Sequence, residues 1–483
     1  MKNTFYIQLI SLLAFVSSCT SYVDELNDDP NQPTDAGIAN IIQGVQLSNQ
    51  FWQAGESNRT AMLWINQGTG ADRQYIALND WNTAQSTIFD GIWNEAMVGT
   101  ISQAQVLKTK ATALGNTSTL GMAQVIEANA FGTLTSLFGD IPFSEVNKYE
   151  EFPNPKYEDQ AAIYTQVQSL LDQAIDNLQT AAGSIENDLV YNGDTSKWIA
   201  CAYTLKARYY LHVGNYPAAL TAAQNGIMDA EGDYKAYFGT TYGADFNPFY
   251  SFLVYDRPGY LSAADAYAPK ILDPSTTLYR GNSKTDESAR FAFNYLNFEE
   301  IYNSGYELNF FSVFDWGAPD GKFGTESDMP LVTYGENLLI IAECRARESF
   351  SAGLTAYNNY RALLDTGYSI GLDNDGYADW GDPFNYDSYV AADFATGGLE
   401  NTDGITPSNA LLREILEERY IYFIGHFESF VDFNRTNNIA EITLKSGFNG
   451  NAERFVYPQV EVNGNSNIPM PLPGVLDPTP VNQ

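Results

Sequence analysis

The chain is 483 residues long, 44% hydrophobic and 14% aromatic, which is enough to bury a large core and excludes a disordered polymer. Its formal charge is −34 although only 17% of residues are charged, because basic residues are few. Nucleic acid is therefore a poor partner, since binding it relies on Lys and Arg, and polyanionic substrates are repelled at long range while neutral ligands are not.

At the N-terminus Lys2 is followed by an apolar run from Phe5 to Val16, too short to span a bilayer, so residues 1–18 read as a signal peptide. The run ends in Val16-Ser17-Ser18-Cys19. A small-residue site directly before Cys resembles the bacterial lipobox, which implies cleavage before Cys19 and lipidation of that residue. Each buried methylene of such acyl chains contributes about 0.8 kcal/mol, so several chains anchor a protein stably. Residues 19–36 are acidic and broken by Pro30 and Pro33, the composition of an extended tether. Residues 37–483 are expected to form one domain.

Ile41, Ile42 and Val45 begin the helical pattern. Residues 66–86 are rich in Asn, Gln, Gly and Asp, carry Trp81, and read as a loop. A helical stripe follows through Phe89, Trp93, Met97 and Ile101; Leu120 to Leu137 is a further helix, stopped by the Gly and Pro of Phe138 to Phe143. Asp159 to Ala182 repeats the pattern with Ile163, Val167, Leu171, Ile175 and Leu178. From Trp198 to Met228 the spacing predicts a helical hairpin, with its turn at Gly214-Asn215, Pro217 in the first turn of the second helix, and Ala218, Ala219, Ala222 and Ala223 allowing close approach. Gly214, Tyr216 and Ala219 resemble the turn of a tetratricopeptide repeat.

Periodicity fades between about 234 and 328, where Tyr, Phe, Gly and Asn dominate and Phe310 to Phe314 is a candidate strand. Helices return at Leu331 to Ala346 and Ala356 to Leu364. A second irregular insertion, about 367–405, precedes a last long helix from Ala410 to Phe430, and the tail from Pro469 is extended. Cys201 and Cys344 fall within helices among apolar neighbours and read as buried free thiols.

In this order the chain carries Leu137-Phe138-Gly139-Asp140-Ile141-Pro142-Phe143, Ala207-Arg208-Tyr209-Tyr210-Leu211, Pro330 to Ala346 with Tyr334, Glu336 and Glu343, Glu417-Glu418-Arg419 with Gly425 to Asp432, and Arg454 to Pro458. With these residues it resembles the SusD/RagB-like outer-membrane nutrient-binding lipoproteins of the starch-utilisation type. Relatives often read Gly-His-Arg-Trp where this chain has Gly425-His426-Phe427-Glu428. The resemblance implies a mainly α fold, a tetratricopeptide-like scaffold of helical hairpins with a large irregular, loop-rich ligand-binding face. It also implies a lipid-anchored, surface-exposed position on the outer membrane, and a SusC-like TonB-dependent transporter as partner, with this chain as its lid.

Catalytic parts are scarce. Only His212 and His426 are present, no zinc-hydrolase, serine-hydrolase or phosphate-loop pattern occurs, and no metal or cofactor is indicated. His212, at a helix end, reads as a helix-terminus cation. Asp373 to Asp379 has the wrong Gly placement for a calcium loop and reads as a solvated acidic turn. The tryptophans say more. Trp52, Trp93 and Trp198 lie on helical stripes and are expected in the core. Trp81, Trp316 and Trp380 sit among Asn, Asp, Gly and Pro, where an exposed indole would offer a flat face to a sugar ring. Trp64 is intermediate, and Arg73 and Tyr75 are candidate hydrogen-bonding neighbours. The resulting expectation is a non-enzymatic protein that captures an oligosaccharide, best a neutral glucan of the laminarin type. An oligopeptide ligand, known among relatives, and a glycoside hydrolase are the alternatives.

Overall fold

The computed structural model describes residues 36–298, 305–311, 321–368, 370, 384–445, 447 and 450–483. Cys19, the signal segment, residues 19–35 of the tether, Trp316, Trp380 and the turn from Asp373 to Asp379 lie outside them.

Helix α1 (Ile38–Ala54) buries Ile41, Ile42, Val45 and Trp52, the stripe legible in the sequence, and α2 (Glu56–Trp64) follows directly. The stretch 66–86 is more ordered than its composition suggests. It holds strand β1 (Thr69–Gly70), helix α3 (Gln74–Asn79) and a 3-10 turn over Trp81–Thr83, closed by the Asp80 side chain on the Asn82 N–H. The Phe89 to Ile101 stripe is not one α-helix, because α-helical Asp90–Asn94 widens into π-helical backbone over Glu95–Ser102.

Helix α4 (Gln103–Ala113) leads to α5 (Thr117–Phe138), which Asn116 caps at the Thr119 N–H, 2.9 Å away. Nearly every residue of α5 is buried, because α4, α6 (Gln160–Thr180) and α7 (Thr195–His212) all pack against it. The hairpin expected around Gly214 joins α7 to α8 (Tyr216–Ala223), with Asn215 capping the Ala218 N–H. Ala219, Ala222 and Ala223 face Ala207 and Leu211 on one side and Ile340 and Cys344 on the other, so α8 is a thin layer between two helices.

The irregular middle contributes short helices and short antiparallel pairings. β2 (Tyr234–Ala236) pairs with β6 (Met329–Val332), β1 with β3 (Leu261–Ser262), and β4 (Tyr295–Asn297) with β5 (Tyr306–Leu308). The expected strand at Phe310 to Phe314 is displaced: β5 ends at Leu308, and residues 312–314 are not described. Helices α9 (Tyr334–Glu348) and α10 (Phe350–Leu364) then pack as a pair.

The last long helix is two helices, α11 (Pro407–Tyr422) and α12 (Glu428–Arg435). Gly425 has φ +71°, and a Cβ there would come within 2.9 Å of Phe323. Only glycine makes this turn at this closeness. Gln67 secures the turn, accepting from the Gly425 N–H at 3.2 Å and donating to Tyr420 O at 2.8 Å.

The turn aims Glu428 into a buried charged core. Arg208 on α7 is fully buried and pairs with Glu336 on α9 through two contacts of 2.6 Å, while Glu428 stands 3.6 Å away. His212 does end its helix, yet it is buried: Nε2 lies 3.0 Å from Glu428 and Nδ1 3.0 Å from Ser136 Oγ. It is a core partner and not a surface cation. Further along α9, Glu343 takes Arg435 at 2.7 Å and Arg347 at 2.8 Å, and Asp432 takes Arg419 at 2.7 Å. Cys201 and Cys344 are buried and unpaired, as the sequence indicates.

Burial pushes the Glu343 carboxyl up, but Arg435, Arg347 and Arg419 outweigh it and hold it at about 2. A folded pKa below the unfolded value stabilises the fold above the unfolded pKa, and that contribution is lost as pH falls from about 5 towards 2. Glu343→Gln is expected to cost about 3 kcal/mol at pH 7. Urea unfolding at pH 7 and pH 3 checks this: the variant's deficit shrinks at the lower pH, and an equal deficit at both contradicts it.

A candidate ligand cleft

Strands β1 and β3 align Thr69 with Ser262 and Gly70 with Leu261, which ties the N-terminal loop to the aromatic-rich segment 248–262. A side chain at position 70 would collide with Tyr75 O, so glycine lets the loop fold back tightly on itself. A cavity of about 420 Å³ lies between the loop and the segment, and one of about 470 Å³ adjoins it between the segment, the α1–α2 junction and Glu95; the two share Glu56, Phe252 and Asp256.

The segment is shaped by local chemistry. The Asn247 side chain caps the Phe249 N–H at 2.8 Å, Pro248 opens a helical turn, and the backbone widens into a π-helix over Ser251–Asp256. π-turns are rare and recur at functional sites, because the extra residue redirects side chains. Here Phe252 and Asp256 both line the cleft.

Arg59 of α2 holds the walls together. Its guanidinium carbon sits 4.4 Å from the centre of the Phe252 ring, Nε donates to Tyr75 OH at 3.1 Å, and a terminal nitrogen donates to Pro248 O at 3.3 Å. Tyr75 is itself buried, its ring 4.8 Å from Phe252, and burial raises its hydroxyl pKa. Burial also raises the Glu56 carboxyl, opposed in part by Arg59, and the Glu95 carboxyl, where Glu56 adds to the effect. The floor is thus acidic and poorly solvated.

The rim is aromatic. Tyr242 and Tyr255 are 67% and 47% exposed with ring centres 4.5 Å apart, and Phe246 stacks on Tyr255 at 5.9 Å. Phe246 also lines the larger cavity. Arg73 stands at the other side, its exposed guanidinium 5.9 Å from the Tyr260 ring. Its backbone is strained, with φ +44° and ψ −124°, a region that ordinary residues seldom adopt and that clusters at functional sites.

The expected site residues divide. Tyr75 and Arg73 come to the cleft or its edge. Trp81 and Trp64 do not present an indole face: each is 1% exposed. Trp64 donates from Nε1 to Leu78 O at 2.9 Å and is enclosed by Phe89, Phe430 and Phe455. The polar neighbours that suggested exposure belong to the loop's own turn, while both indoles anchor its inner side in the core. Trp52, Trp93 and Trp198 are in the core as expected. Trp316 and Trp380 lie outside the described residues. Tyr242, Phe246 and Tyr255 were missed; the signal was the density of aromatics between Tyr237 and Tyr260.

A family model described as "SusD-like_2: Starch-binding associating with outer membrane" matches residues 30–458. No curated protein matches the sequence. Solved structures with a similar fold include a SusD/RagB family protein from Bacteroides thetaiotaomicron, 22% identical, with TM-score 0.60 over 90% of this chain and 95% of that one. A SusD homologue from Bacteroides uniformis is 15% identical with TM-score 0.67, covering 93% and 100% of the two chains. A chitin-binding SusD homologue from Flavobacterium johnsoniae is 15% identical with TM-score 0.63, covering 92% and 98%.

Because its indole is buried, Trp81→Ala is expected to destabilise the protein by about 3–5 kcal/mol. Thermal denaturation checks it; an unchanged midpoint would restore the surface role.

Proposed function

This chain belongs to the SusD-like family, and on that premise we propose that it captures a neutral glycan in the cleft between the N-terminal loop and the Pro248 to Ser262 segment. The supporting observation is the exposed Tyr242 and Tyr255 pair beside an acidic floor, in which Glu56 and Glu95 are poorly solvated and Asp256 is exposed. Flat aromatic faces suit the C–H face of a sugar ring, and the carboxylates accept from its hydroxyls. The same carboxylates repel uronates and sulfated glycans. A laminarin-type β-glucan fits this lining, and so does a chitin oligosaccharide, the ligand class named for the Flavobacterium homologue.

The protein acts by binding, without catalysis, as a lid that passes its ligand to a SusC-like TonB-dependent transporter. No helix among the described residues is long and apolar enough to cross a membrane. The Val16-Ser17-Ser18-Cys19 boundary supports attachment at the outer surface through lipid on Cys19, with residues 19–36 as the tether. Trp316 and Trp380 remain proposed ligand contacts.

Isothermal titration with laminarihexaose, chitohexaose, a polyuronate and a peptide library tests the ligand class. The double variant Tyr242→Ala/Tyr255→Ala is expected to weaken binding roughly tenfold, on the scale of two lost stacking contacts, with little change in thermal midpoint. Parental affinity in that variant, or tight binding only to the polyuronate or a peptide, refutes the assignment. For the anchor, Cys19→Ser should move the protein from the membrane fraction to the soluble one in cells lacking the transporter; retention in the membrane contradicts lipidation.

A further inference from the structure

We propose that Lys445 is a positioning residue for the cleft, clamping both ends of the Leu63–Asn79 loop and so setting where Gln74, Tyr75 and Leu78 stand. The consequence for ligand rests on the glycan-binding reading above; the clamp itself does not.

The Lys445 side chain enters from the far end of the sequence. Nζ donates to Leu63 O at 3.2 Å, to Gly68 O at 2.7 Å and to Asn79 Oδ1. Leu63 ends α2, Gly68 precedes β1, and Asn79 ends α3, so one amine joins the start, the middle and the close of the loop. Asn79 Oδ1 also accepts from the Gly70 N–H at 3.0 Å, which carries the clamp to the strand. Next to it, Asn66 donates to Thr443 O at 2.8 Å.

The loop has little else of its own to hold this shape. Its strand is two residues long, its helix six, and Arg73 between them has positive φ. Ordering the backbone costs conformational entropy at every residue, so an irregular loop needs anchors beyond its own hydrogen bonds. Gln74, Tyr75 and Leu78, which line the smaller cavity, lie between the second and third anchor points.

All three direct acceptors are uncharged. The carboxylate acting on the amine is Asp265, from the segment after β3, and its influence is smaller than that of burial. Burial lowers the Lys445 pKa to about 7. A solvated lysine stays charged to about 10.4, so the clamped loop holds a proton less tightly than the opened loop. Between these two values the clamped amine is neutral and keeps two N–H donors for its three acceptors, and raising the pH favours this buried amine over the solvated ammonium of the opened loop, by up to about tenfold per unit for one proton. Below about 7 both states are protonated and the preference is weakest and flat.

Hydrogen exchange on the full chain without ligand reads this directly, with rates over residues 66–79 corrected for the intrinsic effect of pH between 6 and 9. In the parent, protection of this segment should rise above pH 7. In Lys445→Met it should be at least tenfold lower at pH 8 and flat with pH, and peptides from α5 should be unaffected. Lys445→Arg keeps donors but stays charged, so it should restore part of the protection without the slope. Parental protection in Lys445→Met, or the parental pH slope in either variant, overturns the proposal. Should the Met variant fail to fold, the slope in the parent and its loss in the Arg variant decide. Titration with laminarihexaose and chitohexaose separates the two readings: if the exchange behaves as described and neither glycan binds, the glycan assignment falls and the clamp stands.

Discussion

A guanidinium with no exposed surface is the constraint on which the helical layers depend. Arg208 has left water completely, so its charge must be met inside the protein, and Leu331 O and Glu336 from one stretch and Glu428 from another converge on it. Removing one partner of a buried pair costs more than the pair contributes, because a charge is stranded. Its requirements fix α7 against α9 and both against α12. A nonpolar interface would tolerate sliding; a paired carboxylate does not. Arg419, Arg435 and Glu343 continue the same logic one layer on, and Arg280 meets Glu287, Glu414 and Glu418 beyond that. A chain with so many acidic residues has placed several of its few arginines inside.

Much of the scaffold was legible because helical burial leaves a local record. The stripes through Ile41 and Trp52, through Ile163 and Leu178, and the Gly214-Asn215-Pro217 turn each report their own surroundings within a few residues. The failures share one cause, which is dependence on distant residues. Trp64 comes just before the polar Asn66-Gln67-Gly68 and is covered by Phe430 and Phe455, chain that arrives hundreds of residues later, and Trp81 is buried although it lies in polar sequence. Gly425 reads as a tolerable residue in a helix until Phe323 and Gln67 stand beside it. His212 sits where a capping cation belongs, and only the folded chain brings Glu428 to it.

The cleft was harder still. Sequence reasoning sought tryptophan because its side chain is the largest flat surface, whereas the exposed rim here is built from tyrosine on a π-helical turn, which has no repeating spacing to detect. The scaffold and the cleft also differ in kind. Helical layers hold themselves through continuous packing, while the candidate cleft is made of segments joined by two-residue pairings and single side chains such as Arg59.

The two buried cysteines add a property of another sort. Burial raises both thiols to about 12, so neither forms the reactive thiolate at ordinary pH, and they sit in separate helices without pairing. Among the described residues the fold therefore contains no covalent crosslink to reduce and no ready thiol to oxidise. The packing of these residues is set without thiol–disulfide exchange, whatever the thiol balance of the surroundings.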